Sequence, residues 1–586
     1  MRKVGLLILG LLMLSISGCA TMLDVADARK DWLSAPSGAV NITYDMPQVV
    51  VFKEVPYHVY LGPDSTLWVR NGATGKESQV YQAPKNMQLS SLAVYADANQ
   101  LYIAWRPKLS QKIEGFGGPG DKMVFVARSA DGSTFEPAVR VSSANGAFAP
   151  RMTGSGNGDV YVVWQDERSG SAYDLYFNVS HDFGKTWKSE DVRVDFNGKG
   201  ETFSAEPALI AHGRQVSVVW TESPKSVKPN EGFPVSLRTS SDAGETWGSP
   251  VEAAKPSRPA LYPQGLRLGE KIYVYWFNEV GIGGTWSADA GATWNTVQPI
   301  AGEIKARSLV ARADRLGGIH LVYGHMGDSD KYNNLYHTYS QNGVDFSTPV
   351  PLNDDDGGFT YSAVLATIDI DELSNVLVAW MDYRYFRPII MGKYSKDHGQ
   401  TWSPSLLLSR GPDTNATQFA QVRAVGTEWW ASMVQYPQNA NPGMGSPRLT
   451  QIRMDKTGQV PNVPVNSVQA LKDRASAWWQ TRVDADWSRG YDYLDPVMRS
   501  AISRPAYVAS QGSTKYYNFE VLDVELSGIR KAKVRVKFTF EVPQLSAGIK
   551  PVSVPKRETT AEQEWIYVDG DWFVLYKDIY GKSFFE

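Results

Sequence analysis

The stretch Ser180-His-Asp182-Phe-Gly184-Lys-Thr186-Trp187 recurs three more times in the chain, at residues 240–247, 287–294 and 395–402. Two shortened copies of the same pattern lie at residues 129–135 and 340–346. Successive copies start 47 to 60 residues apart, which is the length of one blade of a β-propeller. The repeat therefore predicts a mainly β protein built as a propeller.

The residue types of the repeat predict a structural turn. An Asp carboxylate accepts hydrogen bonds from turn amides, a Gly permits a positive φ, and the aromatic residue packs under the turn. The repeats resemble the Asp boxes of sialidases and related propellers. That resemblance implies that each turn joins the third and fourth strands of a blade, on the face away from an active site. We expect a structural role for the five box aspartates: Asp131, Asp182, Asp242, Asp289 and Asp397.

A second repeated feature sets the expected number of blades. An alternating apolar strand that ends in an aromatic residue precedes each box, and it occurs seven times between residues 101 and 430. We therefore expect a propeller of seven blades over residues 45–460, and the six blades of sialidases are the alternative. Residues 45–87 contain further strands that could complete or close the ring.

The first residues predict export and lipidation. Arg2 and Lys3 precede an apolar run that is too short to span a bilayer, as in a secretory signal. The run leads to Cys19, the only cysteine of the chain, in a context that resembles the lipobox of bacterial lipoproteins. This implies a signal peptide over 1–18, an acylated Cys19 that anchors the protein to a membrane, and a linker over 19–44. Because Ala20 follows the cysteine, the resemblance implies outer-membrane sorting in a Gram-negative host.

Composition excludes some partners and cofactors. A net charge of -3 leaves no basic field for nucleic acid, so we expect no nucleic-acid partner. The seven histidines show no paired-ligand spacing, so the sequence predicts no transition-metal site and no required cofactor. Asp354, Asp355 and Asp356 are a calcium candidate, although a solvated turn is the simpler interpretation.

In the sialidase blade order, charged residues converge on the face opposite the Asp boxes. Sialidases hold a sugar carboxylate with three arginines, attack with a Tyr activated by a Glu, and use an Asp as acid and base. The loop positions that match these roles are Arg151, Arg307 and Arg384 for the carboxylate, Tyr361 with Glu206 or Glu222 for attack, and Asp166 as the acid. The Arg-Ile-Pro motif of active sialidases is absent from the chain.

A structural interpretation competes with this one. Trp164-Gln-Asp166-Glu-Arg168 and Trp380-Met-Asp382-Tyr-Arg384 repeat one pattern in two blades, which suggests that Asp and Arg pair locally and fix a loop. We therefore favour a binding module for a glycan or an envelope protein. A sialidase-like glycoside hydrolase is the alternative, and an assembly factor is a third possibility.

A second domain is expected over residues 465–586. Val468, Leu471, Ala475 and the pair Trp478-Trp479 recur at helical spacing, and Asp495-Pro496 starts a second helix. Alternating strands follow and end in a hairpin at Asp569-Gly570. The order of elements resembles the NTF2-like cone fold. The aromatic residues of this domain are expected to form its core.

Overall fold

The structure is a computed structural model that describes residues 46–575 with internal gaps, together with residues 33–34 and 40–41. Cys19 and the calcium candidate Asp354–Asp356 lie outside the described residues. In the part of the chain that is described, no helix is long and apolar enough to cross a membrane. The gaps are residues 171, 226–231, 297–298, 303, 327–332, 354–361, 386, 410–416, 427, 436–447, 456–467, 496–497, 500–501, 527–530, 546–551 and 569–570.

The described residues form a β-propeller of eight antiparallel sheets, which we number as blades 1 to 8 in chain order. Two short N-terminal strands, β1 (Leu33–Ser34) and β2 (Val40–Asn41), precede blade 1. Blades 1 to 4 contain β3 (Gln48–Phe52), β4 (Val55–Leu61), β5 (Thr66–Asn71), β6 (Glu77–Gln82); β7 (Met87–Ala96), β8 (Leu101–Leu109), β9 (Phe125–Ser129), β10 (Val139–Arg140); β11 (Ala147–Gly154), β12 (Val160–Asp166), β13 (Asp174–Ser180), β14 (Val192–Arg193); and β15 (Thr202–His212), β16 (Gln215–Pro224), β17 (Val235–Ser240), β18 (Val251–Ala254).

Blades 5 to 7 repeat the four-stranded order, and blade 8 supplies three strands of its own. These blades contain β19 (Leu261–Leu268), β20 (Lys271–Asn278), β21 (Gly281–Ser287), β22 (Asn295–Thr296); β23 (Lys305–Ala313), β24 (Ile319–Met326), β25 (Asn333–Ser340), β26 (Val350–Pro351); β27 (Ala363–Ile370), β28 (Val376–Tyr385), β29 (Arg387–Ser395), β30 (Leu406–Leu407); and β31 (Thr417–Val425), β32 (Glu428–Gln435), β33 (Arg448–Asp455).

The first strand of each blade forms the inner wall of the ring. Each inner strand contacts the inner strand of the next blade, and β31 of blade 8 contacts β3 of blade 1, so the ring is closed. The second strands are almost wholly buried between neighbouring sheets, and Trp105, Trp164, Trp220 and Trp380 are among the largest fully buried side chains. This packing buries both faces of every blade, as the apolar strand pattern requires.

The structure corrects the expected count of seven blades to eight sheets. Residues 48–82, which the sequence pattern left as extra strands, form a complete four-stranded blade. The pattern missed this blade because its second strand, Val55–Leu61, does not end in an aromatic residue and no Asp box follows it.

Strands from the N-terminus complete blade 8. Both β1 and β2 pair antiparallel with β33, and they occupy the outer edge of that sheet. At the inner wall, the Gln421 side chain accepts a hydrogen bond from the Val49 backbone N–H at 2.9 Å and donates one to the Pro47 carbonyl at 2.8 Å. The two ends of the propeller are therefore joined at both its outer and its inner side.

The four full Asp boxes are nearly identical turns. In the box of blade 3, Asp182 Oδ1 accepts hydrogen bonds from the Thr186 backbone N–H and the Ser180 hydroxyl, both at 2.8 Å. The Thr186 hydroxyl donates to Asp182 Oδ2 at 2.7 Å. Burial alone would raise the pKa of Asp182, but the bonds from Thr186 and Ser180 outweigh it and lower the pKa to about 2. These contacts match the structural role expected for the box aspartates.

The C-terminal region, residues 468–575, is an α+β unit. Its helices are α1 (Val468–Val483), α2 (Trp487–Gly490) and α3 (Arg504–Ser510), and its sheet contains β34 (Lys515–Leu526), β35 (Lys531–Leu545), β36 (Val552–Val568) and β37 (Asp571–Val574) in sequential antiparallel order.

The helix expected over Val468 to Trp479 is confirmed, and its Trp478 and Trp479 side chains are buried against the sheet. The Asp495 carboxylate accepts a hydrogen bond from the Met498 backbone N–H at 2.9 Å, as expected of a helix cap. The strands that flank Asp569-Gly570 pair as expected, although these two residues lie outside the described part.

The C-terminal region also packs against the propeller. Ile566, Phe573 and Leu575 belong to the same buried apolar cluster as Trp380 and Ile389 of blade 7. The C-terminal sheet therefore covers apolar surface that the propeller alone would expose.

We predict that Asp182→Ala lowers the free energy of unfolding by about 1–3 kcal/mol, because it removes three hydrogen bonds to a charged acceptor. The folded-state pKa lies below the unfolded value of about 3.9, so this contribution is complete above about pH 5 and is lost as the pH falls through 2. Denaturant unfolding at pH 7 and at pH 2.5 measures the difference. Lys185→Ala in the same turn is the control, and an equal loss in both variants, or a loss that does not shrink in acid, would contradict the prediction.

Candidate functional site

The two faces of the propeller carry different strand ends and loops, because every blade runs through its strands in the same order. Inner strands begin, and second strands end, on one face, which we call the mouth face. The Asp boxes follow third strands and lie on the opposite face, the Asp-box face. The candidate residues Arg151, Asp166, Glu206, Glu222, Arg307 and Asp382 all lie near the mouth face, as expected from their positions in the blades.

A β-bulge shapes the inner strands near this face. The pairing of inner and second strands shifts by one residue in seven blades, from blade 2 to blade 8. Six bulge residues have a positive φ although none is Gly, and Glu206 (56°) and Tyr262 (48°) are two of them. Because the strain recurs around the ring, it belongs to the architecture, and it places chosen side chains at the channel mouth.

Opposite the bulges, buried tryptophans make a repeated polar contact. The indole N–H of Trp164 donates to Asp166 Oδ2, that of Trp220 to Glu222 Oε1, and that of Trp380 to Asp382 Oδ2, each at 2.9 Å. A buried indole N–H without an acceptor is unfavourable, so an acidic residue two positions later satisfies it. We call these contacts the indole caps. Their acceptors, Asp166, Glu222 and Asp382, are three of the candidate site residues named from the sequence.

Both oxygens of the Asp166 carboxylate already have hydrogen-bond partners. Its Oδ1 accepts the Arg168 backbone N–H at 2.8 Å, and its Oδ2 also pairs with the Arg168 guanidinium at 2.6 Å. The same guanidinium pairs with Asp191 at 2.6 Å and lies over the Tyr176 ring at 3.8 Å. The local pairing that the repeated Trp-x-Asp-x-Arg pattern suggested is thus present in blade 3.

Glu222 is held in a similar way. Its Oε1 is occupied by the Trp220 indole, and its Oε2 accepts a hydrogen bond from the Asn197 side-chain amide. Asp382 is fully buried and caps the Trp380 indole. The side chain of Arg384 and all of Tyr361 lie outside the described residues.

Glu206 and Arg151 lie in a different environment, a group that we call the mouth cluster. It consists of three partly exposed aromatic residues and two charged ones: Phe148, Tyr173, Phe203, Arg151 and Glu206. The Tyr173 ring meets Phe148 edge-on with centroids 5.4 Å apart and Phe203 at 4.9 Å. The members come from the starts of the inner strands of blades 3 and 4 and from the residue before β13. This places an apolar platform beside a cation and an acid.

The environment of the mouth cluster raises the pKa values of both Tyr173 and Glu206. Burial raises the pKa of Glu206, and the Arg151 charge only partly offsets this. Burial, together with the charges of Glu206 and Glu167, raises the pKa of Tyr173. A Tyr with a raised pKa can attack only when an adjacent base accepts its proton, and within the described residues no hydrogen bond joins the Tyr173 hydroxyl to the Glu206 carboxylate.

Other exposed side chains surround the channel mouth. Tyr262 is 52% exposed and stacks on Phe277 with ring centroids 5.9 Å apart. Arg307 is also exposed, and its Nε approaches the Met326 sulfur at 3.3 Å. Arg151 and Arg307 thus lie three blades apart, in blades 3 and 6.

The aromatic members of the mouth cluster were not identified from the sequence. Phe148 lies one residue before the bulge residue Ala149, and Phe203 lies three residues before the bulge residue Glu206. The sequence pattern cannot indicate that Tyr173, from another loop, joins them.

Comparison with known proteins yields distant structural likeness alone. No protein-family model matches the chain, and no curated protein matches it. The NanB sialidase from Streptococcus pneumoniae aligns with 10% identity over 72% of this chain and 93% of its own, with a TM-score of 0.35. The α-L-arabinofuranosidase of Fusarium graminearum aligns with 13% identity over 53% and 93%, with a TM-score of 0.33.

A prolyl endopeptidase structure aligns with 14% identity and a TM-score of 0.41. That alignment covers 68% of this chain and 56% of the endopeptidase. At these identities and TM-scores none of the three activities transfers to this chain.

We predict that Asp166→Ala destabilises the propeller by about 3–5 kcal/mol, because it leaves the Trp164 indole unpaired and removes one partner of the partly buried Arg168 guanidinium. Equilibrium denaturation with urea measures this. Glu167→Ala removes the neighbouring exposed carboxylate and its surface pair with Lys122, and we expect a change of about 1 kcal/mol or less. If the two variants lose equal stability, the indole cap has no structural role.

Proposed function

We propose that this protein is a cell-envelope lipoprotein whose propeller binds an acidic glycan at the mouth cluster without hydrolysing it. The observation that carries the proposal is the aromatic platform of Phe148, Tyr173 and Phe203 beside the exposed Arg151 guanidinium. Partly exposed rings offer an apolar surface to the flat face of a sugar, and a guanidinium binds a carboxylate through two hydrogen bonds.

The state of the carboxylates supports binding over hydrolysis. A glycosidase needs one carboxyl group to transfer a proton and a second group to stabilise or attack the sugar. Asp166 and Glu222 already accept hydrogen bonds at both oxygens. In the mouth cluster the Glu206 carboxylate is available to a ligand, but it makes no hydrogen bond to the Tyr173 hydroxyl, which a base that activates that Tyr would need. One available acid can donate a hydrogen bond to a ligand and does not make a catalytic pair.

Placement in the envelope rests on the N-terminal residues. A signal-like run that ends at Cys19 supports acylation of that cysteine, and Ala20 supports outer-membrane sorting in a Gram-negative host. The N-terminal strands pair at the outer edge of blade 8, so the anchor would leave the propeller at its rim, away from the central mouth.

We predict that a soluble form starting at residue 20 binds acidic glycans, and that Arg151→Ala and Tyr173→Ala each weaken binding at least about tenfold, or 1.4 kcal/mol. A glycan array identifies the ligand, and calorimetry compares the variants. Arg214→Ala, which removes an exposed arginine near the Asp-box face, is the matched control and should bind normally.

Two outcomes would overturn this proposal. Turnover of a fluorogenic sialoside by the wild-type protein, abolished in Arg151→Ala, would show a hydrolase. Binding of an envelope protein and of no glycan, with the same loss in both variants, would keep the mouth cluster as the site and replace the ligand class.

We predict that the wild-type protein, expressed in a bacterial host, incorporates a fatty-acid label and partitions into the detergent phase of a Triton X-114 extraction. Cys19→Ala should lose both properties, because the acylated thiol is the proposed anchor. Thr21→Ala, two residues further on, should keep both. Labelling of Cys19→Ala at the wild-type level would contradict lipidation at this residue.

A further inference from the structure

Three potential metal ligands converge on the Asp-box face, where blades 6 and 7 meet. Asp314 lies in the turn between β23 and β24, His320 is the second residue of β24, and His398 belongs to the Asp box of blade 7. Asp314 Oδ2 is 3.5 Å from His320 Nε2 and 3.4 Å from His398 Nδ1. The Asp314 and His320 side chains are fully buried, and the His398 side chain is 31% exposed.

Each of these three atoms is buried and has no hydrogen-bond partner. The other Asp314 oxygen is fully used, because Oδ1 accepts the backbone N–H groups of Leu316 at 2.9 Å and Gly318 at 2.7 Å. The turn thus holds the carboxylate in place with Oδ2 directed at two imidazole nitrogens. A buried polar atom without a partner is costly, and three together require an explanation.

The matching turn of blade 7 satisfies the second carboxylate oxygen of its Asp with a side-chain amide. Asp371 Oδ1 accepts the backbone N–H groups of Leu373 and Asn375, and the Asn375 side-chain amide donates to Asp371 Oδ2 at 2.9 Å. In blade 6 no amide takes that place, and the second oxygen faces His320 and His398 instead. Two imidazoles thus lie in blade 6 where blade 7 has the hydrogen bond from the Asn375 amide.

A second histidine sets the chemistry of His320. Its Nδ1 lies 3.0 Å from Nε2 of the buried His337. One of these nitrogens carries the proton; with it on His320 Nδ1, the neutral ring presents the lone pair of Nε2 to Asp314 Oδ2. A histidine ligand ordinarily donates its other ring N–H to a neighbouring acceptor, and His337 is placed to be that acceptor. Each ring could direct its own N–H at Asp314 Oδ2, but at 3.5 and 3.4 Å these would be long hydrogen bonds. One cation at normal ligand distances satisfies all three atoms.

The two distances from Asp314 Oδ2 fit a small tetrahedral ion, and the two imidazole nitrogens lie within 4.8 Å of each other. Ligand atoms about 2.0–2.1 Å from Zn²⁺ at tetrahedral angles are about 3.3–3.4 Å apart. The observed separations of 3.4 and 3.5 Å lie close to that edge. An octahedral Mg²⁺ would need ligand atoms about 2.9 Å apart and oxygen donors, so two imidazoles and one carboxylate favour zinc.

We propose that Asp314 Oδ2, His320 Nε2 and His398 Nδ1 bind Zn²⁺ and so link blade 6 to blade 7. Three protein ligands leave a fourth position, which faces solvent on the side of the partly exposed His398. The site lies on the Asp-box face, so it is separate from the mouth cluster and does not depend on the ligand proposed there. Residue spacing did not indicate this site, because its ligands come from two blades and no pair of them has a metal-binding spacing.

The Asp-box repeat supplies a variant that should not disturb the fold. The position of His398 is Ala243 in blade 4 and Ala290 in blade 5, with φ values of 64° and 57° against 57° for His398. His398→Ala therefore recreates a turn that the chain already forms twice. His181→Ala is the matched control, since His181 also lies in an Asp box but both its ring nitrogens already meet carboxylates, Asp159 at 2.7 Å and Glu245 at 2.8 Å.

The test is titration of the metal-free full-length chain with Zn²⁺ in competition with a chromophoric chelator. We expect one equivalent to bind to the wild type and to His181→Ala, and His398→Ala to bind at least about 100-fold more weakly, since losing a ligand costs more than losing an outer partner. Saturating Zn²⁺ should raise the unfolding temperature of the wild type and of His181→Ala, and leave that of His398→Ala unchanged.

Replacement of zinc by Co²⁺ tests the geometry independently. A tetrahedral site gives intense visible absorption, which His398→Ala should lose. The proposal is overturned if the wild type binds no zinc, if His398→Ala binds it equally well, or if bound Co²⁺ shows only the weak absorption of an octahedral ion.

Discussion

A four-stranded blade cannot bury both of its faces alone, so every blade in this chain depends on the joint that closes the ring. At the inner wall, Gln421 bonds to the backbone at Pro47 and Val49, and further out His58 of blade 1 lies 2.6 Å from the Ser432 hydroxyl of blade 8. The outer edge of blade 8 is covered by β1 and β2. Without this joint, blades 1 and 8 would each expose an apolar face and the channel mouth would lose its circular wall.

The ring explains why acidic residues gather at the mouth. Each second strand needs a bulky side chain opposite the bulge of the inner strand, and tryptophan fills that space in five blades. In three of them the indole N–H takes an acidic acceptor two residues later. Some carboxylates at the mouth of this propeller are therefore present because of packing. Fewer of them are available for binding or catalysis than their number suggests.

The sequence predicted the propeller because its turns repeat a motif with a single physical solution. Asp182 and its equivalents accept the same hydrogen bonds in each box, so the local pattern determines the local structure. Blade 1 was missed because it lacks both the box and the terminal aromatic. The pairing of Asp166 with Arg168 was also foreseeable, since the two residues are close in sequence. Phe148, Tyr173 and Phe203 meet only through the curvature of the ring, and no local pattern encodes that.

The strands that close blade 8 also set the order in which the chain can fold. Ser34 pairs with Arg453, 419 residues later, so the first strands to be synthesised wait for nearly the last ones of the propeller. An unpaired strand that waits is a site for wrong association between chains. A contact of such long sequence separation forms slowly, and the outer edge of β33 is open to wrong pairing until it forms.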